Sequence, residues 1–307
     1  MSYKNLRAKY GDKAYEAGLR MQPKTFERRL AQRDSLDQHF TKLWLDFVVT
    51  GMNERPALDA RTRFLVLIGQ FTMGRCLATL DDTVRAALAA GVKAREILET
   101  ILQCQVYGGH TTADPAIDVF HRIVDELGLL EELRKDQLPM DGDAGTRSEE
   151  EERKTWHPED VADPRFPGLM KRHGWLALGR GLTLRPKTHL NVMHNFAVMD
   201  PEWADLWVKF CYQGMYGRFI VDDKTRLLCM VGDCAAVGED YNLRGHIKTA
   251  LRYGATPREV AEVMLQTSVN FGMPKALYAL DVFVQIMAAE GRLDEIGNPL
   301  TRSKMKG

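Results

Sequence analysis

The chain has 307 residues, enough to bury a self-sufficient core in two domains or one large one, so folding requires neither disulfide nor metal. Lys plus Arg and Asp plus Glu each number 42, and a net charge of +0 gives no global field to draw nucleic acid or an anionic membrane surface. The five cysteines are odd in number and never spaced C-x-x-C, the pattern of free thiols in a reducing compartment.

In chain order, the opening MSYKNLRAKYGDKAYEAG lacks the apolar segment of a secretory signal, and no later run reaches the length of a membrane span; a cytoplasmic protein is expected. ARTRFLVLIGQFTM, from Ala60, is nearly all apolar, and its length without turn signals argues for a buried helix over a strand. AREILETILQCQVYG, from Ala94, has the spacing of an amphipathic helix ending at glycine. Residues 133–168 are rich in Gly, Pro and like charge, and predict a linker running over the surface.

Beyond the linker the sequence repeats itself. GLRMQPKT at Gly18 returns as GLTLRPKT at Gly181, 163 residues later, and without a gap this separation pairs Trp44 with Trp207 and Thr62-Arg63 with Thr225-Arg226. It goes on to pair Leu102-Gln103 with Leu265-Gln266 and Asp118-Val119-Phe120 with Asp281-Val282-Phe283. The chain is therefore expected to be all-α, with tandem helical domains over residues 1–132 and 169–307. Thr256-Pro257 starts one helix of the second copy, with proline at its first position.

The most polar stripe lies in GEDYNLRGHIKTALRYGATPREV, Gly238 to Val260, where Glu239, Asn242 and His246 fall at i, i+3 and i+7 and share a helix face. His246 sits where the first copy has Thr83, and Asn242 where it has Thr79. Asp240 and Arg244, at i and i+4, suit an ordinary surface pair. His189 and His194 are five apart, off a common face, so no metal site is expected.

RPALDARTRFLVLIGQFTMGR with AALAAGVKAREILETILQCQVYGG, and more closely VDDKTRLLCMVGDCAAVGEDYNLRGHIKTALRYGATPREVAEVMLQTSVNFG, resemble the carboxymuconolactone decarboxylase family of the AhpD-like superfamily. The resemblance covers roughly Gly18 to Gly128 and Gly181 to Gly291. It implies an orthogonal helical bundle in each copy, ring assembly, no cofactor, and a site on the histidine-bearing helix. The peroxidase branch carries two cysteines where this chain has Glu239 and Asn242, and in the first copy Cys76 has Thr79 in place of a resolving partner, which excludes a dithiol cycle. The decarboxylase branch reads G-x-x-E-E-L-R-x-H. Gly238, Leu243, Arg244 and His246 match it, while Tyr241 and Asn242 replace its carboxylates.

The resemblance implies a lyase or isomerase acting on a carboxylated lactone from aromatic-compound breakdown. His246 would be the general acid/base and Glu239 its orienting group. Arg244 or Arg226 would anchor the substrate carboxylate, Tyr241 would donate to the lactone carbonyl, and Asn242 and His110 would complete the pocket. The rival expectation is a member that binds a small molecule or a protein without turnover. Three duplicated chains are expected to supply the six copies of a ring, with Phe64 to Phe71 and Leu227 to Val231 buried where copies meet.

Overall fold

The computed structural model describes residues 3–140 and 147–296, and every regular element among them is helical. Each copy has a four-helix core: α1 (Ala60–Met73), α2 (Leu77–Ala89), α3 (Ala94–Gln103) and α4 (His110–Glu126), then α5 (Asp223–Val237), α6 (Asp240–Arg252), α7 (Pro257–Phe271) and α8 (Met273–Ala289). Side-chain caps start the helices as the sequence suggests. Asp59 accepts from the Thr62 N–H, Asp222 from Thr225, and Thr256 with Glu259 forms a capping box.

Ahead of each core lie several helices, the last two being Phe26–Leu36 and Gln38–Trp44 in the first copy and His189–Met199 and Pro201–Val208 in the second, and then a π-helical turn, Leu45–Met52 in the first copy and Lys209–Met215 in the second. The glycine inside each turn matters, because a Cβ on Gly51 would stand 2.5 Å from the Asp46 carbonyl oxygen and one on Gly214 3.0 Å from that of Lys209.

α1 packs along α5, and one apolar core draws on both copies. Phe64 to Phe71 and Leu227 to Val231 are buried in it, at the contact between the two copies of a single chain. Polar groups in this contact obey the repeat. Glu262 is held by Arg55 at 2.9 Å and Arg63 at 3.1 Å, and its equivalent Glu99 by Arg218 at 3.0 Å and Arg226 at 3.5 Å. Both glutamates are fully buried. Each copy thus clasps the other with the same three-residue device, as the subunits of a two-fold dimer would.

Residues 141–146 lie outside those described; from 147 to 168 the connecting segment runs mostly exposed, anchored by the buried side chains of Glu152, Trp156, Asp160 and Phe166. Glu152 is fully buried and accepts from Arg180 (3.0 Å), Arg147 (2.9 Å) and Thr183 (2.6 Å). Asp223, also bound by Arg180 and Arg147, stays below the usual carboxylate range although burial opposes it. Trp156 covers Gly179, where a Cβ would come within 2.6 Å of the indole. Two charged side chains of the segment, Arg147 and Glu152, thus enter an ion-pair network with Arg180 and Asp223, while Glu150, Glu151, Arg153 and Lys154 stay exposed.

Candidate functional site between the copies

α5 ends at Gly238 in the left-handed conformation, and Glu239 caps α6, accepting from the Tyr241 N–H at 3.1 Å and the Asn242 N–H at 2.9 Å. The Glu239 carboxylate is therefore spent on the helix start; nothing places it on His246, and the expected orienting role falls away. His246, two turns further on, is 2 % exposed. Its Nε2 lies 2.7 Å from the hydroxyl of Tyr107, which follows α3 in the first copy. The Tyr216 hydroxyl, at the end of the π-helical turn of the second copy, donates to that of Tyr107 at 3.3 Å. Tyrosine, tyrosine and imidazole form one chain across the contact between copies.

A cavity of about 130 Å³ opens beside this chain, walled by Trp207, Phe196 and Tyr212 and entered by Asn242 and Arg185. Arg185 has no carboxylate partner among the described residues; its guanidinium lies over the Tyr241 ring at 5.7 Å. Burial, and secondarily the charge of Arg185, lower His246 to about 3, so the imidazole is neutral near pH 7. Burial likewise pushes the Tyr107 and Tyr216 hydroxyls well above their usual value.

The other expected site residues are distributed differently. Tyr241 and Arg244 line the outer approach, Arg244 pairing with Asp240 at 2.9 Å and Gln285 at 3.1 Å. Arg226 is not a substrate anchor: it is buried in the clasp, donating to Gln103 at 3.2 Å. His110 starts α4 on the surface, pairs with Asp114 at 3.3 Å and reaches neither the cavity nor its approach.

Arg185, Tyr107, Tyr212 and Tyr216 were missed by the motif. Their signal lies in the mismatches of the repeat, where they face Gln22, Asn270, Val49 and Asn53. The equivalent site around Thr83 thus lacks the arginine and the three tyrosines together with the histidine.

A second buried histidine explains part of the site's cost. His189 packs edge-on to Tyr212 at 4.5 Å, against Gly181, with both ring nitrogens unpartnered. The first copy places Phe26 against Gly18 there. Burial, then the charges of Arg185 and His173, lower His189 to about 3. An unfolded histidine titrates near 6.5. Neither His189 nor His246 therefore affects stability above that pH, but each favours unfolding as pH falls from about 6.5 toward 3. At pH 5 the expected loss is about 2 kcal/mol per histidine. Denaturant unfolding of the parent and of His189→Phe should diverge as pH falls from about 6.5 toward 4, the parent losing about 2 kcal/mol more than the variant at pH 5; identical pH profiles would contradict the assignment.

Fold and site together define a class: a duplicated all-helical chain whose two copies form an internal pair, with a histidine-centred cavity at their contact. The profile of the carboxymuconolactone decarboxylase family matches residues 38–121 and again 201–285, together more than half of the sequence. The chain belongs to that family. It is also similar to an uncharacterised 15.0 kDa protein encoded in the nqo9–nqo10 intergenic region of Paracoccus denitrificans, 43% identical over 74 residues. That match covers 24% of this chain and spans about half (55%) of the relative.

Proposed function

We propose that the protein is a cofactor-independent lyase or isomerase of a small carboxylated lactone or related ring-cleavage acid. The observation that supports it is the meeting, in one cavity, of the Tyr107–His246 hydrogen bond and an arginine without a carboxylate partner. Arg185 holds a substrate carboxylate. The Tyr107–His246 pair delivers a proton to carbon: when a carbon–carboxylate bond breaks, its electron pair passes into the conjugated carbonyl as an enolate, CO₂ leaves, the enolate carbon takes a proton from the pair, and water returns that proton to the pair before the next turnover. In an isomerisation the same pair would remove and return one proton.

Purified protein offered a panel of lactone mono- and dicarboxylic acids, followed by ultraviolet absorbance and CO₂ release, should turn over at least one of them. Binding without turnover across the panel would instead favour a binding protein.

The working form is proposed to be a trimer of duplicated chains. Leu36, Phe40, Leu43 and Phe47 form an exposed apolar stripe, and the same stripe recurs at Met199, Trp203, Leu206 and Phe210. A face kept apolar at four matched positions in both copies suits contact between one chain's first copy and the next chain's second, the head-to-tail arrangement that closes a ring. Light scattering should give three times the chain mass of 34.8 kDa; a monomer would refute the ring.

A further inference from the structure

Outside the inner cavity, and sharing Arg185, Asn242 and His246 with it, lies a basin of about 520 Å³, four times larger. Its lining is strongly cationic, and Asp240 is its one carboxylate. Lys187 and Arg244 are neutralised by Glu159 and Asp240. Arg252 donates to the Thr155 carbonyl oxygen at 2.7 Å and lies near enough to Asp160 to feel its charge, while Lys248 has no carboxylate partner among the described residues. With Arg185, three cations from the inner cavity to the mouth form no ion pair among the described residues.

The first copy shows that this opening is specific to the second. Its residues matching Arg244 and Gly245 are Asp81 and Asp82. Asp82 accepts from the N–H groups of Lys24 (2.9 Å) and Thr25 (3.1 Å), and Asp81 pairs with Lys24, Arg85 and Arg122. Carboxylates fill and neutralise the equivalent place. In the second copy the matching turn is held from elsewhere: Asp160 of the connecting segment accepts from the Lys187 N–H at 2.9 Å. Relieved of that duty, α6 carries glycine at 245, where a Cβ would meet nothing within 4 Å.

We propose that this basin is a second anion subsite, which takes a carboxylate or phosphate on a tail extending outward from the group held at Arg185. Lys248 and Arg252 bind the tail through charge-assisted hydrogen bonds, and the substrate is accordingly an extended molecule with at least two anionic groups. The inference rests on the reading of His246 as the reacting end, and the test separates the two.

Binding to the full-length protein is measured calorimetrically with two probes, propane-1,2,3-tricarboxylate for a polycarboxylate tail and adenosine 3′,5′-bisphosphate for a phosphate tail. At least one should bind, more weakly as salt rises. The double variant Lys248→Ala/Arg252→Ala should weaken that probe by about tenfold or more, and so should Gly245→Asp, which restores the carboxylate of the first copy. Gly245→Ala, whose methyl enters open space, should bind within about twofold of the parent and shows that helix α6 tolerates a side chain there. Which probe binds identifies the tail. His246→Ala should leave binding in place, so a failed activity assay would not touch the result. Binding of neither probe, or binding indifferent to both the double variant and Gly245→Asp, would overturn the subsite.

Discussion

His246→Ala is expected to lower turnover of an accepted substrate by about 10²–10⁴-fold, the usual contribution of a positioned acid/base group. Its folding should survive, because the imidazole is buried, uncharged and bonded to Tyr107 alone. Tyr107→Phe removes the hydroxyl that faces Nε2 and should lower turnover by about tenfold or more, although that residue belongs to the other copy. Thr83→Ala, at the position matching His246, should be nearly silent, since the Thr83 hydroxyl bonds only the Thr79 carbonyl oxygen of its own helix. The pH dependence adds a signature. With His246 lowered to about 3 and both tyrosines raised, none of the three groups in this hydrogen-bonded chain changes charge near pH 6.5, so the chain itself should give the rate no histidine step there. A His246→Ala protein keeping more than about a tenth of parental turnover would refute the assignment, as would a clear histidine step near 6.5.

The clasp between copies should give the largest stability effect. Glu262→Ala leaves Arg63, which is buried, with no counter-ion, and the cost of breaking such a pair is about 3–5 kcal/mol. Glu99→Ala should cost less, because Arg226 is held at 3.5 Å and its Nε and terminal NH2 group already lack hydrogen-bond partners. Replacing both members, as in Arg63→Met/Glu262→Leu, should recover most of the loss, since an apolar pair leaves no charge stranded. Urea unfolding would read all three. Equal, small effects for Glu262→Ala and Glu99→Ala would mean that the copies are joined by apolar packing alone.

Helix class and repeat were legible because each rests on local signals: apolar spacing, caps such as Thr256-Pro257, and one register held from Gly18 to Phe283. His246 was legible through its motif. Arg185 and Tyr107 were not, for different physical reasons. Arg185 precedes a helix start about sixty residues from His246, in a stretch whose likeness to the first copy draws attention away from a charge that has moved, from Arg20 in one copy to Arg185 in the other. Tyr107 enters from the opposite copy, and only the packing of α1 on α5 decides which residues of one half meet the other. Glu239 misled because capping and catalysis ask for the same carboxylate beside the same turn. The buried Glu152 misled because a charge-rich segment is ordinarily solvated, and its arginine partners Arg147 and Arg180 lie on either side of the boundary.

The reciprocal clasp has a further meaning. In a dimer of identical chains, every substitution is written twice, once on each side of the axis, so a residue reaching across to help a neighbour's site must also sit in its own. Joining the two halves in one polypeptide removes that obligation. Tyr107 can then serve the histidine of the second half while Asn270, its counterpart, serves nothing similar, and Asp82 can close one basin while Gly245 opens the other. The surroundings of the cavity are thus free to differ between the halves, while symmetry is kept where Arg55, Arg63 and Glu262, and their counterparts Arg218, Arg226 and Glu99, hold the halves together.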